Sequence, residues 1–93
     1  MSQRTTQALS KTEELLASLG SLSPTPDPRL VEHAQALHRA IAAFHMEAIR
    51  FRMYSVDRDL KSSGDPAEPR RIFEALRHAL EEAGFHTRSH SAP

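Results

Sequence analysis

Apolar and polar residues in the segment EAIRFRMYSVDRDL, residues 47–60, follow two periods at once. They alternate over residues 49–54, which is typical of a half-buried strand. The apolar residues also recur at intervals of four, three and four, which is typical of a helix: Ile49, Met53, Val56 and Leu60. The first interpretation predicts a small α/β domain, and the second predicts a helical hairpin.

Neither glycine nor proline occurs between Arg29 and Ser63, which favours the helix. The segment is rich in Ala, Leu, Glu and Arg, which have high helix propensity, and β-branched residues are scarce throughout the chain. Asp27 and Pro28 provide a capping carboxylate followed by a proline at the first helical position. We therefore predict one unbroken helix over residues 28–62, about 50 Å long at a rise of about 1.5 Å per residue.

Shorter helices are predicted on both sides of the long one, over residues 5–19 and 68–83. Gly20 and Gly84 are placed to end them. The pattern leaves the starts of both short helices open. Residues 85–93 lack a continuing apolar period, and we expect them to form a flexible tail.

Each short helix matches the long helix in one antiparallel register. Folding the third helix back places three apolar pairs opposite each other: Ile49 with Leu80, Met53 with Leu76, and Val56 with Phe73. Folding the first helix back does the same: Leu9 with Ile41, Leu16 with Ala34, and Leu19 with Val31. The sequence therefore predicts an all-α fold with a single helical domain over residues 1–93. In it, two shorter helices fold back antiparallel along a long central helix, and the whole associates as a helical bundle.

Neither short helix covers one stripe of the long helix, which consists of Leu37, Ala40, Phe44, Ala48 and Phe51. Its three large residues recur at intervals of seven and therefore share a face. One interpretation is that the stripe closes the chain's own core. The other is that it forms a seam against a second chain, with the packing of a helical bundle. We favour the second, with Phe44 and Phe51 as anchors, because burying each large side chain contributes roughly 1.5–3 kcal/mol.

The composition supports a partner chain. Apolar residues make up 39% of the 93 residues, and the aromatic residues are four Phe and one Tyr. A monomeric core built from this content would be thin, and association would add to it. No segment has the apolar length of a membrane span or of a signal peptide. The expectation is a soluble cytoplasmic protein that does not insert into a membrane.

The six histidines are the most numerous residues with metal-ligand chemistry, because the chain has no cysteine. His86 and His90 have the spacing of a two-histidine site only if the tail is helical, and Gly84 opposes that. We expect no metal and no cofactor. If the histidines did bind a metal, the candidates would be His45 with His78 or His86, and the chain would be a small metal- or ligand-responsive regulator.

Nucleic acid is a less favoured partner, because twelve Lys and Arg balance twelve Asp and Glu. Four residues share a helical face that could contact phosphate: Arg50, Tyr54, Arg58 and Lys61. Asp57 and Lys61 form an i, i+4 pair, however, which is typical of a solvated face. A nucleic-acid accessory factor is therefore only a further alternative.

No catalytic arrangement is recognisable in the sequence. The three glycines are isolated and form no phosphate loop, and no serine is placed with a histidine and an acid. The sequence therefore predicts a non-catalytic module for helical oligomerisation or protein–protein interaction. Its partner would be a second copy in a homodimer or another helical protein, bound through the stripe of the long helix.

Overall fold

The computed structural model describes residues 4–22 and 27–85. Over these residues the chain forms four α-helices and no strand: α1 Arg4–Gly20, α2 Pro28–Ala42, α3 Met46–Ser62 and α4 Ala67–Glu82. The predicted all-α fold is confirmed, but the predicted number of three helices is wrong. The helix expected over residues 28–62 is divided into α2 and α3, while α1 and α4 correspond to the two short helices.

The predicted start of α2 is confirmed. Asp27 accepts a hydrogen bond at Oδ1 from the backbone N–H of Arg29, at 2.9 Å, and Pro28 occupies the first helical position. The carboxylate satisfies one of the N–H groups that lack a partner in the first turn, and the proline has none to satisfy. The first helix, whose start the sequence pattern leaves open, begins at Arg4.

The turn between α2 and α3 ends one helix and begins the next without glycine or proline. Phe44 has a φ of +56°, in the left-handed region. Its backbone N–H donates to the carbonyl of Ile41 at 3.1 Å, and that of His45 donates to the carbonyl of Ala40 at 3.0 Å. These are the two hydrogen bonds of a Schellman motif. His45 then caps α3, because its Nδ1 accepts from the N–H of Ala48 at 3.3 Å.

The ends of α3 and α4 use the same motif with glycine at the left-handed position. Gly64 and Gly84 have φ values of +87° and +99°, and the following N–H groups bond back to the helix in the same way. Phe44 therefore occupies a position that the other two ends give to glycine. The prediction of an unbroken helix failed here because the usual residue of a helix stop is absent.

The four helices are neighbours in a ring. α1 packs against both α2 and α4, α2 packs against α3, and α3 and α4 are the least closely packed pair. Side-chain contacts join successive helices: Glu13 with His38 at 3.4 Å, His33 with Asp59 at 3.7 Å, and an ion pair between Asp57 and Arg70 at 2.8 Å. The three-residue turn at Phe44 makes α2 and α3 a hairpin, in which the first part of α2 meets the last part of α3.

The core lies between the helices and contains the apolar residues that the registers predicted to pair. All six residues of the α3–α4 set are buried: Ile49, Met53, Val56, Phe73, Leu76 and Leu80. In the α1–α2 set, three are buried and three pack partly exposed against the core: Leu19, Ala34 and Ile41, then Leu9, Leu16 and Val31. The helical period of residues 47–60 is thus confirmed, and its apolar side faces inward.

Phe85 differs from the prediction of a flexible tail over residues 85–93. It is only 8% exposed, and its ring centre lies 6.5 Å from that of Phe44. Residues 86–93 lie outside the described residues, as do residues 23–26. Within the part of the chain that is described, none of the helices combines the length and apolar content needed to cross a bilayer.

Candidate interaction surface

The large apolar side chains that stay exposed in the described residues all belong to α3 or to the turn before it. They are Phe44, Met46, Phe51 and Tyr54, with 54%, 37%, 57% and 46% of their surface exposed. Scattered exposed apolar residues are ordinary, but Phe51 and Tyr54 are three residues apart on α3 and therefore lie side by side on one face of the helix. Such a pair suits contact with another molecule.

Phe51 and Tyr54 lie on the side of α3 that points away from the core. We define the outer face of α3 as the four residues Glu47, Phe51, Tyr54 and Arg58. Their spacing of four, three and four places them within about 60° of one another around the helix axis. The opposite side carries the buried residues of the helix: Ile49, Met53, Val56 and Leu60. α3 therefore carries large apolar side chains on two opposite sides, and the rest of the chain covers only one of these sides.

A shallow depression of about 400 Å³ lies on the outer face. The described residues that line it are Glu47, Arg50, Phe51 and Tyr54. Their numbering follows i, i+3, i+4 and i+7, which is the set of four side chains that forms a hole in knobs-into-holes packing. The depression therefore has the residue spacing of a socket for a side chain from another helix.

Two arginines flank the rings of the outer face. The guanidinium carbon of Arg58 lies 5.8 Å from the centre of the Tyr54 ring, within the range of a cation–π contact. The guanidinium carbon of Arg52 lies 5.1 Å from the centre of the Phe51 ring. Arg52 also donates from Nη1 to Nδ1 of His33 on α2, at 2.9 Å, since arginine has no acceptor. The Phe51 ring is thus supported by a side chain that is itself tied to the hairpin.

Phe44 lies in the turn, at the end of the bundle where α4 also ends. Holding a residue with a Cβ in the left-handed conformation costs roughly 1–2 kcal/mol. The contact between the rings of Phe44 and Phe85 offsets part of this strain, but 54% of the surface of Phe44 stays exposed. A large ring therefore stands where glycine would fit the backbone better.

The residues predicted as an interface separate into two groups. Leu37 and Ala40 are 0% and 7% exposed and belong to the core, and Ala48 packs against it. Phe44 and Phe51 are exposed. The predicted stripe requires one continuous helix, and the left-handed residue in the turn places its two halves on different helices. The interface stays a prediction, and it is now limited to the exposed aromatic residues.

Tyr54, Glu47 and Arg58 are not among the predicted interface residues. The signal is present as the spacing of four, three and four from Glu47 onward, but its ends are charged. Because two of its four residues are charged, this face is not recognisable as an apolar stripe in the sequence. The sequence pattern instead puts Tyr54 with Arg50 and Arg58 on a solvated face.

Of the three histidine candidates for a metal site, the structure describes His45 and His78. His45 caps α3, and His78 lies on α4 with Nε2 at 3.1 Å from Oε2 of Glu82. His86 lies outside the described residues. Among those that are described, no group of three or more histidine, aspartate and glutamate side chains is arranged to hold a metal ion.

An ion cluster joins α3 to α4 and holds the orientation of α3. Arg70 donates from Nη1 to Asp57 at 2.8 Å and to Glu74 at 2.9 Å, and from Nε to Asp65 at 2.7 Å. Burial opposes ionisation of Asp57, but hydrogen bonds from Arg70 and Lys61 outweigh it and hold the pKa of Asp57 below its ordinary value. The cluster therefore helps to decide which side of α3 faces outward.

Comparisons of the chain with protein-family models, with curated proteins and with solved structures find no match. The exposed rings of α3 and of the turn before it are the observations that bear on function.

Proposed function

We propose that the chain is a non-catalytic helical module that binds a helix of another protein chain through the outer face of α3. The observation that carries this proposal is the exposure of Phe51 and Tyr54 on a helix whose opposite side is buried. Large side chains at helical spacing, beside a depression lined by four residues of one helix, match the contact stripe of helix–helix packing. The cytoplasmic location expected from the sequence stays a prediction.

The residue types of the outer face suit a binding surface. Tyrosine, phenylalanine and arginine are enriched in protein interfaces, and tyrosine and arginine often supply much of the binding energy. Covering a half-exposed ring of Phe51 or Tyr54 would contribute about 1 kcal/mol. Two rings between charges of opposite sign therefore provide both affinity and orientation for a bound helix.

Phe44 supports the same proposal from the backbone. A residue that keeps a strained conformation with its side chain exposed is a candidate for function, since stability alone would favour glycine. Gly64 and Gly84 show that this chain uses glycine at the equivalent position of other helix ends. We infer that the ring of Phe44 contributes to binding at the end of the bundle from which α3 begins.

Site-specific photocrosslinking tests the proposal. Phe51 would be replaced by p-benzoylphenylalanine, and the chain irradiated at its natural level in cells of its source. The proposal predicts a discrete covalent adduct with a protein. The matched control carries the same photoreactive group at Arg71, an exposed residue of α4 whose side chain is 66% exposed, and should give no such adduct.

Equal labelling from both positions, or labelling from neither, would contradict the proposal. Equal labelling would mean that the outer face of α3 is contacted only as often as any other part of the surface.

A further inference from the structure

We infer that the helix bound to the outer face of α3 is α3 of a second copy of this chain, in antiparallel orientation. In this arrangement, Glu47 faces Arg58 of the second copy, and Phe51 faces Tyr54 of the second copy. Each contact occurs twice, because the arrangement has two-fold symmetry. The inference rests on the proposed function and names the partner at that surface.

The order of side chains along the outer face carries the inference. From Glu47 to Arg58 the sequence of types is acid, aromatic, aromatic and base. When such a helix is laid against a reversed copy of itself, each acid meets a base and each ring meets a ring. A parallel copy in register would place acid against acid and base against base. The outer face is therefore complementary to itself in one orientation only.

The depression on α3 fits the same register. It is lined by Glu47, Arg50, Phe51 and Tyr54 and is centred between Arg50 and Phe51. In the antiparallel register that pairs Glu47 with Arg58 of the second copy, the side chain over this centre is Tyr54 of the second copy. A tyrosine ring would thus lie over a shallow depression whose four lining residues have the spacing of a hole in knobs-into-holes packing.

The exposed area indicates a reversible dimer. Phe51 and Tyr54 together expose roughly 200 Å² per chain, compared with about 800 Å² per partner in an interface of standard size. Arg58 is 56% exposed at its side chain, so that its charge remains partly solvated. Four half-exposed rings at about 1 kcal/mol each and two exposed charge pairs at about 0.5 kcal/mol each supply roughly 5 kcal/mol, which corresponds to a dissociation constant on the order of hundreds of micromolar.

Charge reversal at the two ends of the outer face tests this arrangement in purified protein. Glu47→Arg and Arg58→Glu each replace two attractive contacts with two repulsive ones. Sedimentation from about 10 to about 500 µM should show the average mass of wild type rising with concentration from near the chain mass of 10.4 kDa towards twice that value. Each single variant should bind itself about tenfold or more weakly.

Two combinations should restore association. In an equimolar mixture of the two single variants, the positive charge introduced at position 47 of one chain would face the negative charge introduced at position 58 of the other, giving a heterodimer. The double variant Glu47→Arg/Arg58→Glu should form a homodimer again. Because a variant that had unfolded would not be rescued by mixing, this result separates lost complementarity from lost structure. Arg71→Glu on α4 is the matched control and should dimerise as wild type does.

Wild type that stays monomeric over the whole concentration range would overturn the inference, as would single variants that dimerise normally or fail to associate when mixed. The proposed function fails separately, in the photocrosslinking of position 51. An adduct with a different protein, together with a monomeric purified chain, would leave the binding surface standing and remove the second copy as its partner.

Discussion

Phe44 combines an exposed ring with a backbone conformation that favours glycine. The left-handed φ of +56° closes the hydrogen bonds that end α2, so the strain is part of the turn that separates α2 from α3. The cost of a Cβ at this position and the loss of the ring can be separated by comparing two substitutions. Both remove the ring, and only one keeps a Cβ.

We predict that Phe44→Gly unfolds with a free energy about 1 kcal/mol higher than Phe44→Ala. Inside a helix the order is reversed, because alanine is the better helix former by a similar amount. Urea denaturation of the two variants measures the difference at equal protein concentration. If the free energy of unfolding of Phe44→Ala were equal to or higher than that of Phe44→Gly, residue 44 would be helical, as the sequence pattern predicts.

The ion cluster between α3 and α4 acts at the scale of elements, because these two helices make the least extensive packing of any neighbours in the ring. Asp57 accepts one hydrogen bond from Arg70 on α4 and forms an ion pair at 3.3 Å with Lys61 on its own helix. Its side chain is 23% exposed, so the contacts are only partly screened. Removing the negative charge leaves Arg70 with Asp65 and Glu74 alone.

We expect Asp57→Asn to lower the free energy of unfolding by about 1–3 kcal/mol at neutral pH. The folded-state pKa of Asp57 lies below its unfolded value, so its stabilisation is present above the unfolded pKa. This stabilisation is lost as the pH falls through the folded pKa. The difference between wild type and variant should therefore shrink below about pH 4.

Denaturation measured at several pH values checks the behaviour of Asp57. Arg71→Glu, which reverses an exposed charge elsewhere on α4, serves as the control for general charge effects. A difference between wild type and Asp57→Asn that is unchanged in acid would mean that the carboxylate contributes nothing through its charge.

Most helix boundaries could be predicted because their signals are local. Asp27 with Pro28 starts α2, and Gly20 and Gly84 lie at or just after the ends of α1 and α4. The inward side of α3 was also predictable from its period of four and three. The turn at Phe44 was not, since an uninterrupted run of good helix formers favours continuing the helix.

The candidate surface could be predicted only in part for the same reason. Phe51 is apolar and the sequence singles it out, but the exposure of Tyr54 depends on which sides of α3 the other helices cover. The sequence assigns Leu37 to an interface because a three-helix arrangement leaves one side of the long helix uncovered. Dividing that helix supplies the fourth element, and Leu37 is buried in the resulting core.

For the whole molecule, the ring of four helices provides a core without a second chain. The radius of gyration is 12.3 Å, close to the value of about 12 Å expected of a single folded domain of this length. The thin core expected from the composition is thus closed by the chain itself. Association through α3 would add stability by mass action but is not needed to bury the core.

Because the chain buries its core without a second chain, the proposed binding surface can be tested by substitutions that leave the fold intact. Variants of the outer face of α3 change exposed side chains, so we expect them to remain helical while they lose their partner. The proposed module would therefore exchange between a free and a bound state. It also means that the contact can be observed directly in a sample where both states are populated.

The proposed contact between two copies of α3 can be tested directly by an isotope-filtered nuclear Overhauser experiment on an equimolar mixture of labelled and unlabelled wild-type chains. It detects only proton pairs that are close across two different molecules. The antiparallel dimer predicts cross-peaks between the ring protons of Phe51 in one chain and those of Tyr54 in the other. Intermolecular contacts that arise only from other helices, or none at concentrations where sedimentation shows a dimer, would contradict it.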